Sequence, residues 1–310
     1  MGALNNSMWN VAAGSSFTPT TKGIFAFGAI DGGTNTAISN LVSNSGVVAS
    51  DTAGVGTSQR ARAACSYDGD KAIYCFGQEA SARTTIINLV SNSGVVASDS
   101  SGAGTGTNGG SATSYGVGTG IKAYGFTSSA LNESNLISDS GVVASSITLV
   151  GTARWQTPGV AYGEDKGIFA YGSGQYTPLY NMSNLVSNVG VISSDVTGVG
   201  TARRNLAAAT YGTDKAIYAY GYDGSLTSVS NLVSSSGVVA SDVSGVGTSR
   251  NYTPGCGYGS DKGIFAFGNA SGGDTSVSNL VTNVGVVGSD VSGVGTARAN
   301  LSEGAGYSTA

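Results

Sequence analysis

Residues 215–258 read KAIYAYG, then YDGSLTSVSNLVSSSGVVASDVSGVGTSR, then NYTPGCGY. A closely similar stretch occurs six times. The Asn of its NLV or NLI core stands at Asn40, Asn88, Asn135, Asn184, Asn231 and Asn279, in steps of 48, 47, 49, 47 and 48 residues. A fixed period of this length marks a solenoid, a propeller or an array, in which each repeat is one supersecondary unit that buries its apolar face against its neighbours.

Each repeat offers four short strand candidates. The first is a run of small residues ending in Tyr: AACSY, SATSY, PGVAY, AAATY and PGCGY. The second is an Ile–aromatic run closed by glycine at Gly28, Gly77, Gly172, Gly221 and Gly268, with GIKAYG in the third repeat. The third surrounds the NLV core. The fourth is GVV or GVI, beginning at Gly46, Gly94, Gly141, Gly190, Gly237 and Gly285. β-Branched and aromatic residues dominate these runs, as strands prefer, and no segment keeps a helical period. Four antiparallel strands repeated six times predict an all-β fold, a six-bladed β-propeller over residues 22–310, with residues 1–21 as an N-terminal arm. An open β-solenoid is the alternative. The small-residue strand belongs innermost, where six strands converge on one axis. LSEGAGYSTA at 301–310 is a first strand without a second, and KGIFAFG at 22–28 a second without a first. Pairing the N- and C-terminal strands completes one blade, closes the circle and removes the open sheet edge.

The order of a Gly/Ala-rich strand, a tight turn, an Ile–aromatic strand ending in Gly, a variable loop, two outer strands and an Arg resembles kelch repeats and galactose-oxidase-like propellers. The likeness covers residues 22–310, with a single Gly where kelch has two and no outer-strand Trp. The near-identical NLVSNSGVVASD…GVGTAR units are also similar to repeat proteins of tailed bacteriophages, particularly virion or tail-associated ones. That resemblance implies a virion location, with other virion proteins and a host surface glycan or receptor as partners.

Composition excludes several functions. The net charge is −4, and six Lys and eight Arg are spread along the repeats without a basic cluster, which argues against nucleic acid. No apolar run reaches the roughly 18 residues of a membrane helix. The N-terminal MGALNNSMWNVAAGSSF lacks the basic and apolar regions of a signal peptide. Three Cys without a spacing pattern imply neither a disulfide framework nor a zinc site. Cys65 and Cys75 are expected to face each other across one hairpin as reduced thiols. There is no His, so no Ser/His/Asp or Cys/His set exists. GVGTAR recurs with no helix after it, unlike a phosphate loop, and Asp68-Gly69-Asp70 lacks the further carboxylates of a calcium loop. No cofactor, metal or enzymatic activity is expected.

Antiparallel order sorts the loops onto two faces. One carries the near-constant turns YGEDK, YGTDK and YGSDK. The other carries loops that differ in every repeat, such as QEASARTT, SGQYTPLYN and YDGSLTS, together with the segments after each repeated Arg. Binding usually resides on loops held by a rigid scaffold, so the variable face is the candidate. Its candidate contacts are Arg83, Trp155, Gln175, Tyr176, Tyr180, Arg204, Tyr222, Asp223 and Tyr252, types suited to sugar stacking and to protein hot spots. Trp9 and Phe17 are candidate anchors on the arm. The repeated Arg154, Arg203, Arg250 and Arg298 are expected to bridge the repeated Asp51, Asp99, Asp195, Asp242 and Asp290 as scaffold. These features predict a non-enzymatic structural or adhesive virion protein. The alternative is a carbohydrate-binding propeller module at a cell surface or outside the cell.

Overall fold

The computed structural model describes residues 19–308 other than Gly32 and Ser302, so Trp9 and Phe17 lie outside the described residues. Among the described residues there is no helix. The repeat is realised as six small antiparallel sheets, each centred on the Ile–aromatic strand. Ala207–Tyr211 pairs with Lys215–Ala219, which pairs in turn with Ser230–Val233. The same order recurs around Lys71–Glu79, Thr119–Ala123, Lys166–Ala170 and Lys262–Ala266. The remaining sheet joins the two ends of the described chain. Lys22–Ala26 takes Ala305–Tyr307 on one side, with Lys22 opposite Tyr307, and Ser39–Val42 on the other. After its first residue the core of each central strand is buried on both faces, as in the Ala216-Ile217-Tyr218-Ala219 run.

The first strands of successive sheets lie against one another. Ala63–Tyr67 touches Ser111–Tyr115, which touches Gly159–Tyr162, which touches Ala207–Tyr211, which touches Gly255–Tyr258. Ala305–Tyr307 touches both Gly255–Tyr258 and Ala63–Tyr67. Only small side chains permit this approach: a Cβ on Gly255 would stand 2.4 Å from the Ala208 carbonyl oxygen.

The expected fourth strand is not a regular strand. The segment begins in a turn, with Gly46 at φ 80°, and returns to its neighbour through single bridges, Val42 to Val48 and Ser39 to Thr52. Between them the Asn40 side chain enters the ladder and donates to the Ala49 carbonyl at 2.9 Å. A side-chain amide thus takes the place of continuous backbone pairing. Two-residue outer strands form only at Ser100–Ser101 and Ile147–Thr148.

Successive sheets are fastened by a repeated stack. At the end of each central strand an aromatic residue enters the left-handed region: Phe27, Phe76, Tyr124, Tyr171, Tyr220 and Phe267, at φ 58–66°. For a non-glycine residue this costs roughly 1–2 kcal/mol. The following residue must be glycine, because a Cβ on Gly28 would meet the Ala299 carbonyl oxygen at 2.9 Å. The sharp turn lays each aromatic face beneath a cation of the next sheet. Arg62 stands over Phe27, Lys122 over Phe76, Arg154 over Tyr124, Arg203 over Tyr171, Arg250 over Tyr220 and Arg298 over Phe267, at 4.1 to 5.1 Å. All six cations are buried. A desolvated stack of this kind contributes about 2 kcal/mol, enough to offset the strained backbone beneath it.

At Arg154, Arg203 and Arg250 the repeated Arg and Asp are joined through asparagine more than directly. Arg203 donates to Asn231 Oδ1 at 2.6 Å and Asn231 donates to Asp242 at 2.9 Å, while the guanidinium and carboxylate stand 3.8 Å apart. Asp242 also accepts from the backbone and hydroxyl of Thr201, in the connection that enters its sheet. Burial works against the Asp242 charge, but these hydrogen bonds and Arg203 hold its carboxyl below the usual range. The same clamp joins Thr296 to Asp51 across 245 residues.

Cys65 and Cys75 do not face each other. The register sets Cys75 opposite Ala63 and Cys65 opposite Ile73. Both side chains fill the core, and burial pushes the Cys75 thiol up to about 12.

Candidate binding face

The loops that differ between repeats and the connections that follow each repeated Arg line one cavity of about 420 Å³. Arg83 comes from the Lys71–Glu79/Ala82–Val90 hairpin, where it pairs with Gln78. Phe126 follows the third central strand, Trp155 follows the buried Arg154, and Tyr176 tops the loop after the fourth central strand. The four form one ladder. The Arg83 guanidinium lies 5.4 Å from the Phe126 ring, Phe126 lies 4.7 Å from Trp155, and Trp155 meets Tyr176 edge-on at 5.6 Å. Arg204 extends the ladder, 5.6 Å from Tyr176 and 5.5 Å from Tyr222. Trp155 is 9% exposed and its indole N–H donates to the Gln175 carbonyl at 2.9 Å, so it is the inner support. Tyr176, 59% exposed, presents its ring to solvent at the edge of the cavity.

Of the residues expected on this face, Arg83, Trp155, Tyr176 and Tyr252 line the cavity, and Arg204 and Tyr222 adjoin it through the stack. Gln175 contributes its backbone carbonyl to Trp155. Two residues have other places. Asp223 accepts from the backbone and hydroxyl of Ser225 and so shapes its own turn, and Tyr180 lies outside the cavity lining. The sequence reading missed Arg60, Phe126 and Glu303. Phe126 directly follows the degenerate GIKAYG run, and Glu303 is the one charge in an otherwise small-residue inner segment.

Glu303 reaches the cavity floor. Its carboxyl accepts from the backbone N–H of Ala64 at 3.0 Å, Ala112 at 2.8 Å and Gly159 at 3.0 Å, and it is hydrogen-bonded to the Ser111 hydroxyl. These partners come from three successive sheets. Full burial outweighs the four hydrogen bonds and pushes the carboxyl up to about 7.

The opposite face is uniform, as expected from its repeated turns. Lys166, Lys215 and Lys262 each pair with the adjacent Asp at 2.6–2.7 Å, and Lys71 pairs with Asp68. On the uniform side the small-residue strands leave a cavity of about 1420 Å³ among residues such as Ala64, Ala112, Val160 and Ala208. Small side chains let the strands approach each other but project too little to fill the space between them. Its walls repeat from sheet to sheet, whereas the variable-face cavity is built from individual residues. Among the described residues no group of three His, Cys, Asp or Glu side chains is placed to hold a metal ion.

No protein-family model matches this chain, and no curated protein matches its sequence.

Proposed function

We propose that the six sheets are the blades of one closed, kelch-like β-propeller, and that the chain is a non-enzymatic adhesive or structural virion protein of a bacteriophage that binds through its variable face. The propeller is supported by the order of neighbours among the first strands, by the pairing of 22–24 with 305–307, and by the six cation–aromatic stacks between successive sheets. Recognition is carried by one observation: the Arg83–Phe126–Trp155–Tyr176–Arg204 ladder around a 420 Å³ cavity, built from loops that the repeats do not share. Side chains of these types dominate binding energy where they line a pocket. The virion setting rests on the resemblance of the NLVSNSGVVASD…GVGTAR units to tail-associated repeat proteins, with residues 1–21 as the anchor. A carbohydrate-binding module outside any virion is the second reading, favoured by the exposed Tyr176 platform.

The test is retention of the labelled protein on a panel of bacterial cells. Retention on at least one strain is expected, lost in a Tyr176→Ala/Arg204→Ala variant with unchanged thermal unfolding, and kept in Asp214→Ala/Lys215→Ala on the uniform face. Loss in the second variant with retention in the first would overturn the assignment of faces. Retention on no strain would overturn the adhesive reading.

A further inference from the structure

The chain has eight arginines. Arg62, Arg154, Arg203, Arg250 and Arg298 are consumed by the stacks between sheets and are buried. The other three, Arg60, Arg83 and Arg204, all gather at the variable-face cavity. Arg60 and Arg83 line it, and Arg204 stacks on the Tyr176 that lines it. None of the ion pairs among the described residues involves any of these three. The lysines do not compete with them: Lys122 is buried, Lys71, Lys166, Lys215 and Lys262 pair with Asp in the turns of the opposite face, and Lys22 opens its central strand at the corresponding position, opposite Tyr307. An acidic protein of pI about 4.7 thus concentrates its unpaired guanidinium groups around one cavity.

The carboxylates nearby do not neutralise them. Glu303 lines the cavity, but its oxygens are occupied by backbone and hydroxyl groups of three sheets. Glu79 and Asp223, in the surrounding loops, do not line it. Each guanidinium also keeps donors to spare. Arg60 donates to the Gly33 carbonyl and Arg204 to the Tyr176 carbonyl, one bond each out of five N–H groups. Stacking on an aromatic ring orients the plane of Arg83 and Arg204 while leaving the edges available.

We propose that this cavity binds an acidic saccharide, with its carboxylate or sulfate held by Arg60 and Arg83, Arg204 at the outer edge, and the apolar face of a sugar ring laid on Tyr176. The proposal rests on the reading that the variable face is the recognition surface, and adds the chemical class of what it recognises. A planar guanidinium matches a carboxylate in two parallel hydrogen bonds, which a lysine ammonium does not. A tyrosine face braced by a buried tryptophan presents a rigid apolar platform with a polar tip, suited to a pyranose. The cavity volume falls within the range of small-ligand sites.

The experiment is a glycan panel containing uronate, sialate, sulfated and neutral oligosaccharides, probed with the full chain. Titration of the strongest hit with Arg83→Ala, Arg60→Ala/Arg204→Ala and Tyr176→Ala follows. Binding is expected only among acidic glycans, weakening as salt is raised and falling at least ~10-fold in Arg83→Ala and in Tyr176→Ala with unchanged unfolding. Equal binding of a hit and its carboxyl methyl ester, or binding indifferent to Arg83→Ala, overturns the acidic class and leaves the recognition face standing. No glycan bound while cells are still retained through the variable face overturns the saccharide. Loss of cell retention as well removes the underlying reading with it.

Discussion

Arg250 and Arg204 both stack on a tyrosine, at 4.1 Å and at 5.5 Å, and do different work. Arg250 is fully buried. Its guanidinium donates to the Phe267 carbonyl at 3.0 Å, the Thr248 carbonyl at 3.1 Å and Asn279 Oδ1 at 2.7 Å, while Tyr220 closes its face. Buried between sheets, it offers no surface to a ligand. Arg204 gives a single bond, to the Tyr176 carbonyl at 3.2 Å, and is half-buried. The same pair of residue types is scaffold where the guanidinium is buried and bonded between sheets, and is the proposed recognition element where it lies at the cavity with donors to spare.

Removing each arginine is the strongest way to break this comparison. Arg250→Ala removes the donor to Asn279 Oδ1 and the Thr248 carbonyl and opens a void between sheets. It is expected to lower unfolding free energy by roughly 3–5 kcal/mol. Arg204→Ala is expected to change it by less than about 0.5 kcal/mol. Urea unfolding of both variants decides the matter, and comparable losses would mean that the two stacks are not different in kind.

Glu303 sharpens the contrast from the cavity floor. Its carboxyl stands at about 7, against an ordinary value of 4.5 in the unfolded chain. Between those values the folded protein holds more protons than the unfolded one, so stability falls as pH rises from about 4.5 to about 7 and levels off above. The full effect is roughly 3 kcal/mol. Thermal unfolding of Glu303→Gln across this window should lack that decline. An identical pH profile in the two proteins would show that Glu303 keeps its charge when folded.

The third sheet offers the mildest test. Thr107 stands where other repeats have their Arg, and Lys122 replaces the central-strand aromatic and supplies a cation over Phe76 at 5.1 Å. Burial pushes the Lys122 ammonium down to about 8. The unfolded chain therefore binds the extra proton between about 8 and 10.5, and stability gains with pH there. Lys122→Met should remove that gain relative to the parent. Restoring the common arrangement with Thr107→Arg/Lys122→Tyr should be more stable than either single change by about 1–2 kcal/mol, because Thr107→Arg alone sets two cations at one aromatic face. Additive effects in calorimetry would refute the exchange of roles.

Much of the fold was legible because repetition averages away individual exceptions. The Ile–aromatic strand, the small-residue strand, the NLV strand and the terminal pairing all follow from residues that recur at one spacing. The outer GVV segment misled, because its β-branched residues signal a strand while Asn40 and its counterparts carry the pairing through side chains. The candidate binding face was legible only as a set of loops. Arg83, Trp155, Tyr176 and Tyr252 could be drawn from loop individuality, but Arg60 and Phe126 carry no mark that separates them from neighbours in sequence.

By itself, the sequence determined the period, the strand types, the small inner strands and the division into a constant and a variable face, since each depends on local pattern. Tertiary structure alone decided which arginine is scaffold and which is available. Arg62 fills the stacking position from three residues beyond the Gln59 that aligns with the other arginines, and Lys122 does so from a different strand. Whether a cation finds an aromatic face, an amide oxygen or open solvent depends on packing between sheets. That packing brings together residues such as Arg83, Tyr176 and Glu303 that no spacing along the chain connects.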